Sequence, residues 1–183
     1  MDALEFRDVE EWEAWLEVQH GVRSEAWLRI AKRHSGLPLL SISDALDGAL
    51  CYGWIDGQRK GHDDVSFLQR YSPRRARSSW SQVNVDKVEA LLVAGRMRPP
   101  GLAEVAAAES DGRWQTAYEP QRTAEPPADL VAALARNAAA RATFEGLGRS
   151  ELYAVILQLL RTRTPEARAR VLTREVARLA GRP

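Results

Sequence analysis

Two short runs, GWIDGQRKG over residues 53–61 and VSFLQRYSP over residues 65–73, flank the polar triplet His62-Asp63-Asp64 and constrain the fold more than any other feature. Strand-length segments joined by polar turn formers read as a β-hairpin, and Pro73 ends the second run because it has no N–H to offer a ladder. A further strand-like mix, SEAWLRIAKR over 24–33, precedes the hairpin and stops at the turn HSGLP. Around these runs the apolar spacing is helical. Residues 8–20 put Val9, Trp12, Leu16 and, less squarely, Trp15 on one side, with acids on the other. SISDALDGALCY is a helix for which Ser41 or Ser43 can serve as cap. Val83, Val85, Val88, Leu91 and Leu92 outline another helix ending near Gly95, and residues 100–109 one more. The expected class is α+β: a small antiparallel sheet with flanking helices, followed by a C-terminal helical module.

The domain division follows composition. Residues 1–112 form the expected α+β domain and the Pro-rich, polar stretch 113–127 a linker. Residues 128–183 form a module docked on the first domain, with three helices in DLVAALARNAA, SELYAVILQLL and PEARARVLTREVARLA. Pro165 stands where a first helical residue accepts proline.

Charge excludes several function classes. With 26 Lys+Arg against 25 Asp+Glu, a net charge of +1 gives no global pull toward nucleic acid or anionic membrane, so any such affinity needs a local patch. The acidic start MDALEFRDVEEW does not resemble a signal peptide, and no window holds eighteen consecutive apolar residues. One cysteine permits no internal disulfide, which fits a reducing compartment. A cytoplasmic location is the expectation. His20, His34 and His62 are scattered and Cys51 is alone, so no metal and no cofactor is expected. Neither a nucleophile elbow nor a phosphate loop occurs. Cys51, at the end of an apolar helix, reads as a small buried hydrophobe.

What remains is the basic run Arg70-Tyr71-Ser72-Pro73-Arg74-Arg75-Ala76-Arg77-Ser78-Ser79-Trp80-Ser81-Gln82. Ser79 with Gln82 fits a capping box, which places Arg74, Arg75 and Arg77 before a helix N-terminus suited to an anion. The plainer alternative is a solvated loop with an ordinary cap. Simple alternation puts Trp54, Asp56 and Gln58 on one strand face and Ile55 with Arg59 on the other, and hairpin pairing brings Asp56 toward Arg70 or the loop after it. Asp56 is then either an arginine's structural partner or one wall of an anion pocket. The last helix carries Arg170, Arg174 and Arg178 opposite Leu172, Val176 and Leu179, a stripe for nucleic acid, a membrane surface or plain solvent.

ALCYGWIDGQRK, YSPRRARSSWSQVN, LLVAGRMRPPGLAEVAAAESDGRW and ALARNAAARATFEGLGRSELYAVILQLLRTRTPEARARVL, in that order and spacing, resemble the bacterial YdeI/OmpD-associated, or bacteriocin-protection, family over nearly the whole chain. The resemblance singles out Gly53, Trp54, Ile55 and Asp56; Pro73, Arg74, Ser79, Trp80, Ser81 and Asn84; and Gly95, Arg96, Met97, Gly101, Gly112, Arg113 and Trp114. The tail departs from it: Leu159-Leu160 stand where the family has an Ala-Lys pair. The resemblance implies a stress- or peptide-resistance role and no catalytic residue. The leading expectation is a small anionic ligand held by Trp54, Asp56, Arg70, Arg74, Arg75, Arg77, Ser79, Trp80 and Asn84. Behind it stand a nucleic-acid module using RYSPRRARSSW, with Tyr71 and Trp80 for stacking, an enzyme with Asp56 as general acid or base, and a helical tail that docks on an unspecified protein partner.

Overall fold

The computed structural model describes residues 3–119, 124–162 and 164–181, so Pro120 to Thr123 of the expected linker and Arg163 lie outside the described residues. The chain forms two compact units, Met1–Thr116 and Ala117–Pro183. The first contains α1 (Val9–Gln19), β1 (Ala26–Ala31), α2 (Ile42–Cys51), β2 (Trp54–Gly61), β3 (Ser66–Pro73), α3 (Gln82–Val93) and α4 (Pro99–Ser110). The second contains α5 (Ala128–Ala135), α6 (Ala138–Glu145), α7 (Arg149–Leu160) and α8 (Pro165–Ala180). The class is α+β, with helices flanking a three-stranded antiparallel sheet and further helices at the C-terminal end.

Local chemistry explains where the elements begin. Asp8 accepts the amide of Glu11 at 2.9 Å to start α1, and Ser41 accepts that of Asp44 at 3.1 Å to start α2. The sheet order is β1-β3-β2, with Ala26 opposite Tyr71 and Trp54 opposite Pro73. Its helix-covered face buries Leu28, Ile30, Trp54 and Tyr71 against Trp12 and Leu16 of α1 and Leu50 of α2. Trp12 ties the layers together. It stacks on Trp15 at 5.2 Å, meets Tyr71 at 5.9 Å and Trp54 at 6.4 Å, and its indole donates to the Ala45 carbonyl at 3.0 Å. Burying each such ring contributes on the order of 2–3 kcal/mol of transfer free energy.

Three expectations require correction. First, the register of β2 shifts by one residue between Asp56 and Arg59, because Asp56 faces Tyr71 while Arg59 faces Gln69. Two steps along β3 correspond to three along β2, so the bulge at Gly57-Gln58 turns Arg59 onto the face of Trp54 and Asp56 and removes Gln58 from it. Second, α3 starts at Gln82 and not after Ser79: Ser81 is the cap, accepting the Asn84 amide at 3.3 Å. Asn84, Val85, Val88 and Leu91 form its buried side, whereas Val83 and Leu92 are exposed. Third, DLVAALARNAA is not one helix. Asn137 accepts the Ala140 amide at 3.0 Å and opens α6, giving the second unit four helices among the described residues.

The second unit packs Leu130, Leu134, Phe144, Val155, Ile156, Leu159 and Leu179 into its own core. Arg168 of α8 donates to both oxygens of Asp129 on α5, at 2.6 and 2.9 Å, and to the Leu159 carbonyl at the end of α7 at 3.1 Å. The expected basic stripe of α8 faces solvent, with Arg170, Arg174 and Arg178 all exposed, and it is partly neutralised from within: Glu175 is buried and pairs with Arg178 at 2.8 Å and Arg174 at 3.5 Å.

Candidate functional site

The expected anion site divides into residues that build the core and residues that reach solvent. Trp54 is 1% exposed, its ring set edge-on to Trp15 at 6.0 Å and its indole donating to the His20 carbonyl at 3.3 Å. It packs the sheet against α1 and lines no open surface. Arg70 lies opposite Trp27 of β1, one residue out of step with the Asp56–Tyr71 pair, so it projects from the other sheet face. Its Nε donates to Glu25 at 2.7 Å, and Glu25, not Asp56, is its carboxylate.

The loop after β3 folds around a buried arginine. Arg74 is 7% exposed and its guanidinium lies 3.6 Å above the centre of the Trp80 ring. Its Nη1 donates to Ser78 Oγ at 3.1 Å and to the Ser79 carbonyl at 3.4 Å, and its backbone N–H donates to the Gly53 carbonyl at 3.0 Å. A desolvated cation over indole contributes about 2 kcal/mol, so this contact helps fix the loop. Arg113, also buried, holds the same loop from its other side. It donates from Nε to both Asp111 oxygens at 2.7 and 2.8 Å and from Nη1 to the Ser78 carbonyl at 3.1 Å. Trp114 closes edge-on against Trp80 at 4.8 Å. Family resemblance names Arg113 and Trp114, but composition assigns them to a linker; their clamp on the loop becomes visible only in three dimensions.

Held in this way, the loop presents Arg75 and Arg77 to solvent. The Ser78 N–H donates to the Arg75 carbonyl at 3.0 Å, and Arg77 sits in the left-handed region at φ 63. Ser79 contributes its carbonyl to Arg74 and caps no helix. Asn84 is buried on the first turn of α3.

Asp56 is the acid within β2. It keeps a solvent-exposed surface while protein crowds it closely enough to push its carboxyl above the usual range. The exposed area argues for a moderate rather than an extreme shift. Burial is the main cause, partly countered by a hydrogen bond to its own backbone and by the charges of Arg74 and Arg59. Across the strand pair, Tyr71 is fully buried, and its hydroxyl meets no hydrogen-bond partner among the described residues. Burial, then the charge of Asp56, raises its pKa. The Trp80 indole N–H is likewise buried and unmatched. Neither ring is available to stack on a base.

Among the described residues no group of three or more His, Cys, Asp or Glu is placed to hold a metal ion. Asp63 of the hairpin turn accepts from Ser66 Oγ and from the amides of Val65 and Ser66, and these bonds with Arg29 hold its carboxyl well below the usual range. Cys51 is fully buried and burial pushes its thiol up to about 11.

The loop, the sheet and α4 up to residue 104 coincide with one family. Residues 4–104 match the model described as Domain of unknown function (DUF8412), more than half of the chain. The chain belongs to that family. The family that the resemblance extended over nearly the whole chain matches only a shorter stretch: residues 123–181 match Bacteriocin-protection, YdeI or OmpD-Associated. The GWID and PRRARSSWS blocks thus fall in the DUF8412 segment, and the bacteriocin-protection match is confined to the helical unit. No curated protein and no solved structure matches the chain. Among the described residues no helix is long and apolar enough to cross a membrane.

Proposed function

We propose that this is a cytoplasmic protein with a bacteriocin-protection or stress-resistance role that acts by binding a small anion at the loop of residues 74–81. The supporting observation is the loop itself: Arg74 and Arg113 are buried and clamp its carbonyls, so that Arg75 and Arg77 are carried on a fixed backbone just before the Ser81-capped start of α3. Two cations held beside a helix N-terminus attract an anion without first having to order the loop. The role itself is suggested by the bacteriocin-protection match of the C-terminal helices.

Thermal-shift titration with sulfate, inorganic phosphate and citrate tests the reading. A saturable rise in Tm is expected, and its loss in an Arg75→Ala/Arg77→Gly double variant, where glycine keeps the left-handed backbone unstrained. Absence of a shift with every anion sinks the proposal. Asp56 favours a second reading, acid-base chemistry on the bound anion, since its open carboxyl is raised. Such turnover must disappear in Asp56→Asn while anion binding persists.

A further inference from the structure

The bulge in β2 brings two charges onto one face that neither reading uses as a pair. The Arg74 amide donates to the Gly53 carbonyl, so Asp56 and Tyr71, three steps further along the two strands, form a non-hydrogen-bonded pair, the kind whose side chains stand closest. Among the described residues the Asp56 carboxyl accepts only from its own backbone. A regular strand would send residue 58 to this face and residue 59 to the other. The extra residue of the bulge sends Arg59 there instead.

Arg59 is held in a fixed pose. Its Nε donates to Gln69 Oε1 at 3.2 Å, the buried Gln69 amide donates to the Gly57 carbonyl inside the bulge at 3.0 Å, and the guanidinium lies 4.3 Å above the centre of the Phe67 ring. Its two terminal nitrogens meet no carboxylate among the described residues, and no ion pair joins it to Asp56. The other charges acting on Asp56 and Tyr71 are those of Arg74 and Asp47. Asp47 is neutralised by Lys87 at 2.6 Å, and Arg74 is turned into its own loop by Ser78 and Trp80. One unbridged charge of each sign is left on this face, together with the Tyr71 hydroxyl, buried and unmatched among the described residues. Buried polar atoms rarely stay without a partner, so an unmatched one marks where a bound polar molecule completes the bonding. A bare anion would be repelled by Asp56 and a bare cation by Arg59, whereas a molecule carrying both charges satisfies each.

We infer that Asp56 and Arg59 hold a small zwitterion of the α-amino-acid kind, its ammonium on the Asp56 carboxylate and its carboxylate on the Arg59 guanidinium. This site is separate from Arg75 and Arg77. The test titrates L-alanine at neutral pH into the isotope-labelled full chain and follows the Asp56 amide and the Arg59 Nε–H resonance, with propionate and ethylammonium as molecules that each lack one of the two charged groups. Saturable shifts are expected with alanine, and binding weaker by about tenfold with either analogue, the effect of losing one charge-assisted hydrogen bond. Asp56 and Arg59 both reach solvent, so Asp56→Asn and Arg59→Gln leave the chain folded and each weakens alanine by about tenfold. The Arg75→Ala/Arg77→Gly double variant, which removes the anion site of the loop, leaves alanine binding unchanged. Propionate or ethylammonium binding as tightly as alanine, either single variant without effect, loss of alanine binding in the loop variant, or no saturable shift overturns the inference.

Discussion

The Tyr71 hydroxyl, fully buried and unmatched among the described residues, makes a sharp prediction about a single oxygen. An unsatisfied buried hydroxyl costs about 1–3 kcal/mol, so Tyr71→Phe is expected to be neutral or stabilising by about 1 kcal/mol in urea unfolding. A loss of more than about 1 kcal/mol means that the hydroxyl has an acceptor after all. Asp56 gives a second prediction, with a definite sign. Its folded carboxyl holds its proton to higher pH than the unfolded value of 3.8, so stability falls as pH rises from that value through the raised one. Asp56→Asn should therefore be more stable than the parent at neutral pH, and the gap should close in acid, below about pH 4. Paired denaturation curves at the two pH values check this. Sequence identified both Asp56 and Arg74 as worth attention, but not their surroundings. Trp54 and Trp80 carry no mark in one dimension that separates a pocket wall from a core ring, and burial decides between them only once α1 and Trp114 are in place.

At the level of elements, the seam between α2 and α4 is the most demanding. The Arg98 amide donates to the Cys51 carbonyl at 3.1 Å, so the start of α4 meets the end of α2, where amide and carbonyl ends complement each other. Gly101 makes the approach possible: a Cβ there falls 2.8 Å from the Leu50 carbonyl oxygen and also strikes that of Cys51. Gly53, at φ 72 and with any Cβ 2.9 Å from the Pro100 carbonyl oxygen, is constrained by the same seam. Gly101→Ala is expected to cost at least about 1–3 kcal/mol, read as a fall in Tm, because main-chain atoms must move to admit it. In the second unit, Arg168→Ala removes the tie between α8, α5 and α7; the pair is partly exposed, so the expected loss is only about 1 kcal/mol. The hairpin, α1, a serine cap at 41 or 43 and Pro165 are all readable because each depends on neighbours within a few residues, and the structure selects Ser41. The bulge in β2 is not readable, since alternation along one strand says nothing of its partner's count. Asn137 stands inside an alanine-rich run, where helix propensity on both sides hides a cap.

Over the whole molecule, charge is distributed unevenly. Residues 117–183 hold eleven arginines, no lysine and seven acids, a net charge of +4, and the remainder, with fifteen bases and eighteen acids, carries −3. A near-neutral total therefore conceals two units of opposite sign. Residues 117–183 expressed alone should bind a cation exchanger at neutral pH and residues 1–116 an anion exchanger. The helical fragment has its own core of buried side chains and is expected to retain a helical circular dichroism spectrum. A disordered spectrum refutes that independence.

The seam over Cys51 also supplies the protein with an internal clock. The only sulfur nucleophile in the chain lies fully buried beneath a glycine-tight helix contact, with its thiol held near 11. An alkylating reagent can reach it only when the packing around the end of α2 opens. In native buffer the alkylation rate then counts those openings directly, and Gly101→Ala should make the clock run faster.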